Sequence, residues 1–186
     1  MIDRRRAVAT TGAGLLFSAI DGSASRAAAP VGLSSGMAFP DVIYRTEDGQ
    51  AKSVSASRGK VTLVYFWAVW CPICFNDIVN VQNIHDRLKS NPGFSSIVLN
   101  IMDEYKPGVS WARARKITLP LGDSGMGNRG TATVVSTPAG PFMLPRATPQ
   151  FYVLDRNGAV SYAVAGAAAG TQPNLEAIQK LLARPA

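Results

Sequence analysis

Val61-Thr62-Leu63-Val64-Tyr65-Phe66-Trp67 is rich in β-branched and aromatic side chains and carries no charge, and Cys71-Pro72-Ile73-Cys74 follows it after a gap of three residues. A continuous apolar run of this kind reads as a strand buried on both faces, as at the centre of an α/β sheet. Pro72 falls where a helix tolerates proline best, in the first turn. A helical pattern then continues to Ser90. Ile73, Asp77, Val81, Ile84 and Leu88 recur at spacings of four, four, three and four, which is one helix face. Asn91-Pro92-Gly93 stops it. Ser96-Ile97-Val98-Leu99-Asn100-Ile101 reads as a second buried strand, so the three pieces form a βαβ unit with a right-handed crossover.

The flanking sequence completes an α/β domain. Val42-Ile43-Tyr44, the turn Glu47-Asp48-Gly49-Gln50 and Ala51 to Val54 predict a hairpin before the central strand. Residues 106–118 read as a second helix. From Gly122 to Pro149 the chain is rich in Gly, Pro, Ser and Thr and shows no period. Gln150 to Leu154 and Ala159 to Tyr162, joined by Asp155-Arg156-Asn157-Gly158, predict a last hairpin, because Asn-Gly between apolar runs is a strong turn signal. Residues 173–183 read as the closing helix.

Composition narrows the function classes. Of 186 residues, 47% are hydrophobic and 17% charged, which excludes a disordered chain. Two cysteines exclude a disulfide-dense secreted module. The chain opens Met1-Ile2-Asp3-Arg4-Arg5-Arg6, continues in a mild apolar run from Ala7 to Ile20, and reaches small residues from Ser23 to Ala29. A basic start, a short apolar run and a small-residue cleavage region describe an export signal, here with a twin-arginine character. The expected organisation is a signal over residues 1–27, a flexible linker over 28–38 and the folded domain over 39–186. The expected location is the periplasm or the outer side of the cell envelope.

Removing residues 1–27 leaves 15 basic and 10 acidic side chains, a charge of 15 − 10 = +5. The densest cluster, Arg113, Arg115 and Lys116 beside Trp111, reads as a solvated helix face. Nothing resembles a nucleic-acid-binding motif, so the basicity serves solubility and mild attraction to anionic surfaces.

The chemistry lies in the cysteine pair. A cysteine at a helix N-terminus meets unpaired backbone N–H groups and the positive end of the helix dipole, which stabilise its thiolate. Such motifs lower a cysteine pKa to roughly 3.5–7.5. Cys71 is then the outward-pointing nucleophile, and Cys74, one turn inside, resolves the mixed disulfide. A purely structural disulfide closing so small a loop contributes only about 2 kcal/mol. A closed zinc site needs four ligands, and the one histidine, His85, lies eleven residues past Cys74, about 16 Å along the helix. Asp77, three residues after Cys74, puts a carboxylate on an otherwise apolar stripe. Two readings stand: it takes the proton of Cys74 as a general base, or it is a first-turn acid at a solvated edge favoured by the dipole.

The stretch from Gly59 to Cys74, with Trp70-Cys71-Pro72-Ile73-Cys74 at its end, and the pair Thr148-Pro149 before Gln150 resemble the thioredoxin superfamily. Within it the chain is similar to exported thiol:disulfide oxidoreductases of the TlpA/ResA type, from about Phe39 to Leu182. The resemblance implies a thioredoxin-like fold: a central mixed sheet flanked by helices, with an N-terminal hairpin and a strand–helix element inserted before the last hairpin. It implies a cis-proline at Pro149 beside the active-site disulfide and a substrate-contacting Thr148. Trp70, Pro72 and Ile73 complete the surface that meets the partner. It also puts Asp77 where many members carry a functional glutamate.

The implied activity is dithiol–disulfide exchange with protein substrates, as a reductant, with cytochrome c maturation as the associated process. The redox-active Cys71–Cys74 disulfide is the only group required, with no metal and no further cofactor. A membrane thiol–disulfide electron-transfer protein is the implied recharging partner.

Several departures qualify the match. Tyr65 stands where thioredoxin has a buried aspartate, so that proton relay is absent. Pro72-Ile73 replaces the Gly-Pro pair. Gly125 to Pro145 is longer than usual and reads as a loop near the site. The peroxiredoxin pattern fails, because Trp67 and Ala68 stand four and three residues before Cys71. The competing reading is a copper carrier whose reduced cysteine pair holds Cu(I), with Met102, Met126 and Met143 as possible soft ligands. Isolated methionines are more often core filler.

Overall fold

The computed structural model describes residues 33–101, 105–125, 133–144, 147–166 and 171–185. The expected signal segment, residues 1–27, lies outside them, as do Met102 and Met126. Strands β1 (Ile43–Thr46) and β2 (Ala51–Ser53) form the first hairpin, followed by a short 3-10 turn at Val54–Ser57. Then come β3 (Val61–Trp67), α1 (Pro72–Leu88), β4 (Phe94–Asn100), α2 (Tyr105–Ala114) and β5 (Leu121–Asp123). A hairpin of β6 (Thr133–Thr137) and β7 (Gly140–Leu144) precedes β8 (Gln150–Leu154), β9 (Val160–Ala165) and α3 (Thr171–Leu182).

Seven strands form one mixed sheet in the order β2-β1-β5-β4-β3-β8-β9, the architecture expected of a thioredoxin-like domain. Every residue of β3 is buried. The reason is its place: β4 pairs with it in parallel on one side and β8 antiparallel on the other. On one face the Tyr65 ring meets Phe151 edge-on, with centroids 6.4 Å apart. On the other, Phe66 and Tyr152 pack with Phe39.

Helix α1 contacts both other helices. It packs on α3, and its Phe75 ring stacks on Trp111 of α2 with centroids 4.5 Å apart. Buried Gln82 ties α1 to the turn after α2: its Oε1 accepts from the backbone N–H groups of Thr118 (2.8 Å) and Leu119 (3.1 Å). Its Nε2 donates to Asp86 and to Thr118 Oγ1. A buried polar side chain is tolerated because its groups are paired in this way.

Parallel β3, β4 and β5 end at the same edge of the sheet, where α/β proteins build their sites. Antiparallel β8 begins at that edge, since Gln150 pairs with Phe66. The register alone therefore brings the residues before Gln150 beside those after Trp67.

Two expectations need correction. Of the stretch read as a linker, the described part, Leu33–Ala38, is docked. Gly36 N–H donates to the Val160 carbonyl, Val160 N–H donates to Met37, and Leu33 is buried. Residues 125–145, read as a loop, hold the β6–β7 hairpin, whose tight turn at Pro138-Ala139 closes with Gly140 at a positive φ. The basic cluster is a solvated face, as expected: Arg113, Arg115 and Lys116 are all exposed. Arg113 pairs with Glu47 and donates to the Leu119 carbonyl at 3.1 Å, and the Arg115 guanidinium lies 4.2 Å from the Trp111 ring centroid.

Candidate active site

After Trp67 the chain turns through Ala68, Val69 and Trp70, and Cys71 N–H closes the turn on the Ala68 carbonyl at 3.2 Å. Cys71 is the N-cap of α1, extended at φ −91° and ψ 105°, with Pro72 next in the first turn. The N–H of Cys74 points at Cys71 twice, to its carbonyl at 3.0 Å and to its Sγ at 3.3 Å. The sulfur thus does the work a serine or aspartate oxygen does at an ordinary N-cap. The Cys71 thiol also reaches the Thr148 carbonyl at 3.6 Å. The bond between Thr148 and Pro149 is cis.

Both cysteines are free thiols. Cys71 is 3% exposed and Cys74 is fully buried. The expectation of an outward-pointing Cys71 is therefore corrected, because the Thr148 turn stands against its sulfur. Pro72 and Ile73 are exposed beside it, Trp70 and Thr148 are half-buried, and Pro149 is buried. Ile73, placed by spacing on the apolar stripe, is 45% exposed. The buried seam of α1 instead runs Cys74, Asp77, Ile78, Val81, Ile84 and Leu88.

The two sulfurs titrate in opposite directions. A hydrogen bond from the Cys74 thiol, supported by the Cys74 and Ile73 backbone N–H groups, pulls Cys71 down to about 7 from 9.0 against the cost of burial. Cys74 is pushed far up, chiefly by burial and then by acting as donor to Cys71. Burial also raises the Asp77 carboxyl, which is 8% exposed, and Asn80 Nδ2 at 3.3 Å together with the Tyr65 hydroxyl offsets part of this. Tyr65 holds its hydroxyl close to Asp77 without a hydrogen bond of standard geometry, and burial raises its pKa well above the usual phenol range.

Cys71, Cys74, Asp77, Thr148 and Pro149 are thus gathered at one place, with Trp70, Pro72 and Ile73 around it. His85 is elsewhere, its Nδ1 bonded to Ser96 Oγ at 2.7 Å. Among the described residues no group of three or more His, Cys, Asp or Glu side chains could hold a metal ion. Met143 is 68% exposed on β7.

Gly108 is a contributor that sequence reasoning missed. A Cβ there would lie 2.6 Å from Val69 Cγ1 and 3.2 Å from the Trp67 ring, so a bare backbone lets α2 approach the turn that carries Cys71. The signal was a glycine inside a helical pattern, which usually marks close packing.

The sequence matches the family described as Redoxin over residues 34–178. It is 23% identical over 131 residues to the thioredoxin-like protein YneN of Bacillus subtilis strain 168, covering 70% of this chain and 71% of that one. The crystal structure of StoA from Bacillus subtilis superposes with a TM-score of 0.54 at 18% identity, covering 76% of this chain and 98% of StoA. A secreted thiol-disulfide isomerase from Corynebacterium glutamicum gives 0.60 at 16% identity, covering 78% of this chain and 86% of the isomerase. These two structures share the fold.

Proposed function

This chain belongs to the Redoxin family and is an oxidoreductase, and we propose that it exchanges dithiol and disulfide with protein partners on the outer side of the cell membrane, as a reductant. The observation that carries this reading is the environment of the Cys71 sulfur. It accepts the Cys74 N–H at a helix N-cap and sits against the carbonyl before a cis-proline, with a pKa of about 7. A sulfur so placed is substantially thiolate at neutral pH, and the thiolate is the nucleophile.

The reaction follows from the two environments. The Cys71 thiolate attacks one sulfur of a partner disulfide, forming a mixed disulfide and releasing the first partner thiolate. Cys74 then gives its proton to Asp77, and the new thiolate attacks the Cys71 sulfur. This expels the second partner thiolate and leaves a Cys71–Cys74 disulfide. Two electrons have passed to the partner. Half-buried Trp70 and Thr148 and exposed Pro72 and Ile73 offer the partner chain a mixed apolar and backbone surface. An upstream thiol–disulfide protein of the membrane returns the pair to the dithiol. Envelope proteins whose cysteine pairs must stay reduced, c-type cytochrome precursors among them, are fitting substrates.

In the test, the purified domain reduces a protein disulfide. Cys74→Ser retains partners as mixed disulfides on Cys71, and Cys71→Ser retains none. Equal trapping by both variants would overturn the assigned roles. Stoichiometric Cu(I) retention by the reduced protein, without disulfide reduction, would overturn the reading in favour of a copper carrier.

A further inference from the structure

Tyr65 is fully buried, and among the described residues its hydroxyl has no hydrogen-bond partner of standard geometry. A buried phenol left unpaired is costly, whereas phenylalanine would fill the same space without that cost. Packing against Phe151 therefore accounts for the ring and not for the oxygen. The titratable groups facing that oxygen are Cys74, Asp77 and Cys71, all from the start of α1, and on β8 the Phe151 ring packs edge-on against the Tyr65 ring. On Asp77, Asn80 occupies Oδ1 and no other donor of standard geometry is found among the described residues. One buried donor without an acceptor thus stands beside one buried carboxylate with room for a donor.

We propose that Tyr65 is a positioning residue for the resolving step: its phenol donates to the Asp77 carboxylate and holds it in the ionised, oriented form that accepts the Cys74 proton. The inference rests on the dithiol-exchange reading above and on Asp77 as its base. Ionised Asp77 takes the proton of the Cys74 thiol, and the resulting thiolate attacks the Cys71 sulfur of the mixed disulfide. The phenol keeps its own proton throughout. A carboxylate in a buried place is held charged only by donors aimed at it, and Asn80 at 3.3 Å is a weak one. The relay that a single buried acid would provide on the strand is here divided between a donor on β3 and an acid on α1.

The test is single-turnover reaction of the reduced protein with a chromogenic aromatic disulfide, whose two thiolates leave in the attack and resolution phases. It is run from pH 5 to pH 9 on wild type, Tyr65→Phe, Asp77→Asn and the double variant. Tyr65→Phe should leave the attack phase unchanged and slow resolution about tenfold at pH 6, with recovery towards wild type above pH 8. It should add nothing in the Asp77→Asn background. If the Tyr65→Phe profile superimposes on wild type while Asp77→Asn slows resolution, the phenol is packing alone and the proposal is overturned with the base intact. If both variants resolve like wild type, Asp77 is not the base and the proposal falls with it. Failure of the exchange reading itself looks different: no second phase would appear in wild type.

Discussion

The cap of α1 and the turn just inside it hold the same functional group in opposite states. At the cap, Cys71 has backbone N–H groups and a thiol donor around it and lies against the surface turn at Thr148. One turn inside, Cys74 is fully buried, donates to Cys71 and has the Asp77 carboxyl nearby. Three residues of helix are enough to separate a sulfur that loses its proton near neutrality from one that keeps it. The lesson is that burial pushes both thiols up, and the outcome turns on which sulfur has donors enough to overcome it: Cys71 accepts the Cys74 thiol and two backbone N–H groups, whereas Cys74 is the donor.

Alkylation of the reduced protein is the sharpest way to break this contrast. Cys71 should titrate with a midpoint of about 7, and Cys74 should react slower at that pH by about two orders of magnitude. Peptide mapping after limited labelling checks it, and comparable labelling of both sulfurs would erase the distinction.

A smaller effect separates the donors at the cap. The Cys74 thiol is the largest cause of the lowered Cys71 value, so Cys74→Ala should move the Cys71 midpoint upward from about 7. Cys74→Ser, which keeps a donor, should move it less. The pH dependence of thiolate absorbance in the two single-cysteine proteins measures this. Equal midpoints would assign the lowering to the helix N-terminus instead.

The smallest expected effect is on stability and belongs to the inner region. Burial raises the Asp77 pKa above its unfolded value, so the fold binds that proton more tightly than the unfolded chain does. The associated stability is present below the ordinary carboxylate range and is lost as pH rises through the folded value. Asp77→Asn removes the loss. Its thermal midpoint should exceed that of wild type at pH 7.5, and the excess should shrink as the pH falls towards 4. A difference independent of pH would mean that the charge is not what the fold resists.

What the sequence disclosed followed from periodicity and from motif. The strand Val61–Trp67, the helix behind Pro72 and the Asp155–Gly158 turn are strong local signals, because each is set by residues within one or two turns of chain. The buried face of α1 was read one residue out of phase at its start. Ile73 and Cys74 are both apolar, and only tertiary contact selects which faces the sheet. The β6–β7 hairpin was invisible for a different reason. Its strands are five residues each, its turn is Pro-Ala rather than Asn-Gly, and Phe142 and Met143 stay exposed, so no alternation of apolar and polar residues marks it. Cys71, Cys74 and Pro149 could be named from motif, whereas the burial of Cys71 depends on a turn 77 positions away.

The docking of Leu33–Ala38 has a consequence at the far side of the sheet from the β1–β2 hairpin. Strand β9 is the outermost strand there, and an uncovered edge would present a row of unpaired N–H and C=O groups ready to recruit another chain. Gly36 and Met37 occupy both backbone groups of Val160, and Ala38 bridges Ala159. Leu33–Ala38 thus works as a selvedge at the start of β9, finishing the border of the fabric at Ala159 and Val160. A chain cut back to Phe39 would keep its dithiol and leave both backbone groups of Val160 open at that border.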